Sequence, residues 1–202
     1  MTEKRELHGE VAGLLLAAGG GRRLGGRPKA LLEHRGRPLV EHAVGVLRAS
    51  RCGRIHVVLG AAADEVRARA ELDGCVLVDN PAWAEGMGSS LRAGLASLAG
   101  TGVRAALTGL VDQPGIGPAA AARVLDACRD ERSLVSAAYD GVRGHPVLLG
   151  AAHWAGVAEA ATGDRGARDY LRAHRAELRL VECGDVAEPY DIDTEADLGH
   201  LE

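Results

Sequence analysis

Short apolar runs recurring between amphipathic segments constrain this chain more than any other feature. Residues 11–17 (VAGLLLA), 55–59 (IHVVL), 75–78 (CVLV) and 105–111 (AALTGLV) are almost continuously apolar. Runs of this kind suit strands covered on both faces, as in a parallel sheet. Helical patterns lie between them. Pro38 fits a first helical position, ahead of Leu39, Val40, Ala43, Val44 and Leu47 on one face. Residues 62–72 are polar and amphipathic, Leu91, Leu95 and Leu98 form a stripe within 89–98, and Pro118 opens a helix reaching 128. Strand and helix in alternation predict a parallel sheet with crossover helices on both faces.

The rhythm changes after residue 133. Apolar segments 134–139 and 146–149 flank Asp140-Gly141-Val142-Arg143-Gly144, which predicts antiparallel strands. Helices near 151–161 and 167–175, a strand at 178–183 and a short helix from Glu195 complete the reading. The fold expected is a single α/β domain over residues 11–202, behind a polar leader at 1–10. Its sheet is Rossmann-like and mostly parallel, with helices on both faces and an antiparallel modification in the second half.

A length of 202 residues supports one full core. A net charge of −4 gives no reason to expect a nucleic-acid partner. No apolar run approaches the roughly 18 residues of a membrane span, so no membrane partner is expected either. The charged N-terminus does not read as a signal peptide, and Cys52, Cys75, Cys128 and Cys183 form no CxxC pair. A cytoplasmic location without structural zinc is the expectation. Of 24 basic residues only Lys4 and Lys29 are lysines, and Asn80, Gln113 and (beyond the initiator) Met87 are each the sole residue of their type. In a chain this rich in arginine, a retained lysine marks a position where arginine does not serve.

Lys29 closes a glycine-rich stretch, LAAGGGRRLGGRPK, running from Leu16 directly after the first predicted strand. Glycines let backbone N–H groups turn toward one point and approach a phosphate closely. Arg22, Arg23, Arg27 and Lys29 add positive charge. The P-loop pattern fails because Ala30 follows Lys29, and the dinucleotide fingerprint fails because Leu24 stands at its third glycine.

The spacing L-A-A-G-x-x-x-R-x-G-x-x-K resembles the MobA-like nucleotidyltransferases, matching at Leu16, Ala17, Ala18, Gly19, Arg23, Gly25 and Lys29. The resemblance implies the fold of nucleotide-diphospho-sugar transferases. It also implies joining of a nucleoside triphosphate to a phosphorylated acceptor with release of pyrophosphate. Asp112, in Leu110-Val111-Asp112-Gln113-Pro114, follows the fourth strand, where parallel sheets bind ligands. The resemblance assigns it to Mg²⁺ (or Mn²⁺). The segment Tyr190-Asp191-Ile192-Asp193-Thr194 is similar to the family's D-I-D-T motif and suggests Asp193 as second metal ligand, with Asp191 as its competitor. Thr194 is expected to cap the closing helix.

Asn80 to Gly94, with Gly144-His145-Pro146 and the stretch from Gly163 to Arg168, resembles the molybdenum cofactor cytidylyltransferases. In that branch CTP reacts with molybdopterin, so CTP is the favoured nucleotide and molybdopterin the acceptor. A molybdenum hydroxylase or its chaperone is a further expected partner. By this resemblance Leu16, Ala17, Ala18, Gly19, Gly20, Gly21, Arg23, Lys29, Asn80 and Gly86 contact nucleotide. Ser89, Ser90, His145, Asp164 and Arg165 contact acceptor, and Lys29, Arg23 and Asp112 are catalytic. Trp83 admits two readings, stacking on a ring or packing in the core. Two other functions stay open at this point. One is guanylyl or other nucleotidyl transfer to a different small phosphate, and the other is a non-catalytic molybdenum-cofactor binding or chaperone protein.

Overall fold

The computed structural model describes residues 10–201; of the expected polar leader only Glu10 falls within them. One seven-stranded sheet organises the molecule. Its strands are β1 (Val11–Leu16), β4 (Ile55–Leu59), β5 (Cys75–Asp79), β6 (Ala105–Leu110), β7 (Leu134–Tyr139), β8 (Val142–Gly150) and β9 (Leu178–Glu182), in the order β5-β4-β1-β6-β8-β7-β9. Pairing is parallel except that β8 runs antiparallel to β6 and β7.

The helices are α1 (Leu39–Ala49), α2 (Ala63–Arg69), α3 (Met87–Leu98), α4 (Pro118–Asp126), α5 (Trp154–Ala160) and α6 (Arg168–Ala173). The sheet divides the core in two. Val11 and Leu15 face a cluster with Leu39, Val44, Val66 and Val124, from α1, α2 and α4. Ala12, Leu14 and Leu16 face Leu91, Leu95, Val157 and Leu171, from α3, α5 and α6. Side chains of a strand alternate between faces. An uninterrupted apolar run is therefore what a strand with helices on both sides requires, and β1 and β4 are buried at every position. Strand β5 departs from that expectation: Val76 is exposed because β5 is an edge strand with β4 as its sole neighbour.

Three local expectations are corrected. Pro38 is not the first helical residue. It ends β3 (Arg37–Pro38), which pairs with β2 (Glu33–His34), and its extended ψ of 141° directs the chain into α1 from outside. Arg35 and Gly36 between those strands both have positive φ, the geometry of a two-residue hairpin turn. Similarly Asp140 and Gly141 alone make the β7–β8 turn, so β8 starts at Val142 and not at Pro146. The closing helix is a 3₁₀ helix, Glu195–Leu201. Thr194 does not cap it by accepting: its hydroxyl and its backbone N–H both donate to the Asp197 carboxylate, which also accepts from the Asp193 N–H.

Gly60, just past β4, lets the start of the glycine loop and the segment after β5 meet. An added methyl there would lie 2.7 Å from Trp83 Cγ and 2.8 Å from Ala18 Cβ. Gly60→Ala is expected to destabilise by about 1–3 kcal/mol through overpacking and to weaken nucleotide affinity by displacing both walls. Chemical denaturation and a nucleotide titration read the two effects.

Candidate active site

Parallel strands β1 and β6 are neighbours, and the chain leaves β1 toward β4 but β6 toward β7, in opposite directions along the sheet, while α1 and α4 pack on the same face. The crevice beyond their carboxyl ends is where an open α/β sheet binds ligands. A cavity of about 490 Å³ lies there, lined by the glycine loop, Lys29, Trp83, Gly86, Asp112, Gln113, Asp191 and Asp193 among others.

The loop geometry is fixed by its glycines. Gly21 has φ 59°, and a Cβ on it would collide with the Arg27 carbonyl oxygen. The Gly21 carbonyl accepts from the Leu24 and Gly26 N–H groups, and the Gly19 carbonyl accepts from the Lys29 N–H at 3.3 Å. The loop thus curls back and brings Lys29 under its own start. The side chain of Lys29 is only 13% exposed, and its ammonium donates to Asp112 Oδ2 at 2.6 Å and to Asp193 Oδ1. Burial works against that charge, but the two carboxylates outweigh it and hold the ammonium above its ordinary pKa. Arg23 stands at the solvent side, Nη1 3.8 Å from Asp193.

Ile192 explains how both flanking carboxylates reach the cavity. It is fully buried, and its N–H donates to the Asp112 carbonyl at 2.9 Å. Asp191 and Asp193 both line the cavity. Gln113 Nε2 donates to Asp191 Oδ1 at 2.8 Å. Burial raises the Asp191 pKa, and the like charges of Asp112 and Asp193 add to that against the Gln113 bond. Among the described residues no three His, Cys, Asp or Glu side chains close on one point. Two carboxylates do converge on one cation, the Lys29 ammonium. That all-oxygen pair suits Mg²⁺ or Mn²⁺, which is held by one or two carboxylates with water and substrate oxygens.

Of the other residues singled out in the sequence, Leu16, Ala18, Gly19, Gly20, Gly21, Gly86, Ser90, His145 and Asp164 line this cavity. Arg165 lines an adjoining one. Ala17 does not line it and belongs to the core instead. Asn80 and Ser89 are also outside the lining and are buried. Asn80 Nδ2 donates to Ser89 Oγ at 2.9 Å and Ser90 Oγ at 3.0 Å, while its Oδ1 accepts from the Ala82 N–H. The sole asparagine therefore ties the end of β5 to the start of α3. Trp83 shares both environments: it lines the cavity and its ring packs over Gly20. His145 precedes a cis proline and has its imidazole pushed down to about 4 by burial, with Arg168 and Arg143 adding repulsion. One feature escaped sequence reasoning: the partnering of Lys29 with both carboxylates, which has no local signal.

Fold and site define an α/β enzyme that handles a nucleoside triphosphate. The MobA-like NTP transferase domain family matches residues 13–178, and the chain belongs to that family, an enzyme family of nucleotidyltransferases. The nicotine blue oxidoreductase of Paenarthrobacter nicotinovorans is 42% identical over 191 residues, 91% of this chain and 92% of that protein. A solved homologue of Mycobacterium tuberculosis Rv0371c, from Mycobacterium sp. strain JC1, is 30% identical with a TM-score of 0.81, covering 96% of each chain. Rv0371c of M. tuberculosis H37Rv, solved in complex with manganese, is 28% identical with a TM-score of 0.74, covering 95% of this chain and 97% of that one. Among the described residues no helix is long and apolar enough to cross a membrane.

Two outcomes check this description. Lys29→Met removes the ammonium that shares Asp112 and Asp193, so Mn²⁺ should bind the nucleotide-free protein roughly tenfold or more tightly, measured by electron paramagnetic resonance. A unit charge at this range carries several kcal/mol, ample for that change. Asn80→Ala leaves the Ser89 and Ser90 hydroxyls without their donor and should cost about 1–3 kcal/mol in unfolding free energy.

Proposed function

We propose that this protein transfers CMP from CTP to the phosphate of molybdopterin and releases pyrophosphate. The observation that carries the reading is the Lys29–Asp112–Asp193 cluster beneath a glycine loop, in a cavity large enough for a nucleotide. Backbone N–H groups from Gly19 to Gly21 hold the β- and γ-phosphates. Arg23 and Lys29 offset charge on the α-phosphoryl group and on the departing pyrophosphate. The acceptor phosphate is already an anion at neutral pH and needs no side-chain base. It attacks the α-phosphorus, the bond from that phosphorus to the bridging oxygen breaks, and pyrophosphate leaves with the electron pair. Asp112 and Asp193, with Asp191 beside them, are the residues to hold Mg²⁺ or Mn²⁺, which when bound supplies further neutralisation of phosphate charge. Catalysis is then positioning and charge stabilisation. A cytoplasmic setting and a molybdenum hydroxylase or its chaperone as recipient belong to the same reading.

The Leu16-Ala17-Ala18-Gly19 spelling supports CTP over GTP. Pyrophosphate release is measured with each of the four nucleoside triphosphates, with and without molybdopterin, in Mg²⁺ or Mn²⁺. CTP with molybdopterin should give turnover, and Asp112→Asn should lower kcat by about 10²–10³. Equal release with every triphosphate, or none that depends on molybdopterin, would sink the assignment.

One observation favours a second reading. The 42% identical relative is an oxidoreductase of nicotine blue, over nearly the full length of both proteins. On that reading the cavity takes nicotine blue and an electron donor. Loss of nicotine blue absorbance with a supplied electron donor, without pyrophosphate release, would favour it.

A further inference from the structure

Strand β5 is the outer strand at one end of the sheet, and among the described residues β4 is its sole neighbour. It reads Cys75-Val76-Leu77-Val78-Asp79, apolar at every position but the last, and it pairs with β4 in one unbroken register. Edge strands are commonly guarded against further pairing by a lysine, a proline, a bulge or an inward-pointing charge. None of these occurs within β5, whose only charge, Asp79, is exposed at its end. The opposite edge strand, β9, is better guarded. It carries Arg179 and Glu182, and the Glu182 carboxylate accepts from the Asp140, Gly141 and Gly184 N–H groups across its end. The backbone of β5 decides which groups are left over. The Asn80 N–H donates to the Leu59 carbonyl of β4. Alternation along the strand then turns Val76 and Val78 toward β4 as well, and turns the N–H and C=O groups of Leu77 and Asp79 outward. The Cys75 carbonyl also points outward, while the Cys75 N–H donates to the Leu72 carbonyl.

A second copy of the same strand, run antiparallel, complements this layout. Two-fold symmetry centred on Leu77 sets Leu77 opposite its counterpart, Val76 opposite Val78 and Cys75 opposite Asp79. The Leu77 N–H and C=O groups then exchange hydrogen bonds with those of the other Leu77, and each Asp79 N–H reaches the other copy's Cys75 carbonyl. The valine pairs fall at the closely spaced positions between these bonds, which covers Val76, now 42% exposed. Charge favours the same register. Arg48, near the end of α1, lies against Cys75 with Nη2 3.6 Å from Sγ, and it also donates to the Asp73 carbonyl. Asp79 pairs through Oδ1 with Arg67 at 2.6 Å. Setting Asp79 opposite Cys75 brings its carboxylate to the Arg48 of the other copy. Centring on Val78 keeps the backbone bonds but sets Leu77 against Asp79. We propose that this protein forms a two-fold homodimer by antiparallel pairing of β5 with β5, which joins two seven-stranded sheets into one. The occupant is a second copy because the strand complements itself in backbone, valines and charge together. The inference does not depend on which reaction the crevice carries out.

The test is sedimentation equilibrium of the full chain from micromolar to submillimolar concentration, on wild type and three variants. Wild type should sediment with twice the mass of one chain. Val76→Glu should raise the dimer dissociation constant by roughly a hundredfold or more, because each carboxylate would be buried against Val78 without a partner. Arg48→Glu and Asp79→Arg should each raise it by roughly tenfold, since each sets like charges opposite one another. Mixed in equal amounts, those two variants should associate with each other to within about threefold of wild-type affinity, because the paired exchanges restore opposite charges across the interface. All three positions are exposed, and the Arg67 pair lost in Asp79→Arg is a surface ion pair of small worth, so the monomer fold survives each change. A wild-type chain that stays monomeric throughout would overturn the proposal. So would a dimer that Val76→Glu leaves intact, or charge variants whose mixture associates no better than either alone.

Discussion

The contact of Lys29 with Asp112 and Asp193 joins three parts of the chain that are remote in sequence. Its ammonium sits 83 residues from one carboxylate and 164 from the other. Through it the loop after β1, the end of β6 and the segment before the closing 3₁₀ helix share one point. Asp112 and Asp193 would repel each other at that point without a cation between them. The cost of desolvating three charges is offset only while all three are present, so the cluster holds the loops as a unit. A compact ammonium suits this position better than a planar guanidinium, because it meets two carboxylates at a single atom. That gives a physical basis for a lysine in a chain whose other basic residues, Lys4 excepted, are arginines.

The sheet explains why this point lies in a crevice. Parallel strands deliver their carboxyl ends to one edge, and the chain leaves β1 toward β4 but β6 toward β7, which parts the two connections there. Strand β8 runs the other way, and its register pairs Val147 with Thr108. Its earlier residues, Arg143 to His145, therefore reach past the end of β6 to the same edge. The antiparallel strand is the means by which residues from its beginning join residues from the ends of the parallel strands. A fully parallel sheet would carry them to the opposite side of the molecule.

The sequence made the parallel half of this arrangement legible because strands covered on both faces leave a continuous apolar trace, as in β1 and β4. The edge strand β5 left a similar trace while keeping Val76 exposed, since hydrophobicity reports composition and not how many neighbours a strand acquires. The glycine loop was legible because its backbone demands a particular residue, most plainly at Gly21. The hairpin at Arg35-Gly36 was missed because its left-handed first residue is arginine, where turns of this kind favour asparagine, aspartate or glycine. Long-range pairings such as Lys29 with Asp193 leave no mark along the chain at all.

Asn80 shows how the partners of a polar side chain mark it as scaffold. Asn80 stood out as a rare residue near a presumed nucleotide, yet its amide is engaged with Ser89, Ser90 and the Ala82 N–H, all within the protein. Its polarity is consumed internally, which positions the start of α3 and leaves nothing of it for a ligand. Arg168, the last residue of the Gly163–Arg168 stretch, lines the nucleotide cavity and the adjoining one but is solvent-exposed. A buried polar group that is satisfied stabilises the fold, whereas an exposed charge is solvated by water and costs the fold little. By that criterion Asn80 and Lys29, matched to protein groups, are framework that holds its shape without ligand, whereas Gln113 donates to Asp191 but keeps its buried Oε1 without a partner among the described residues.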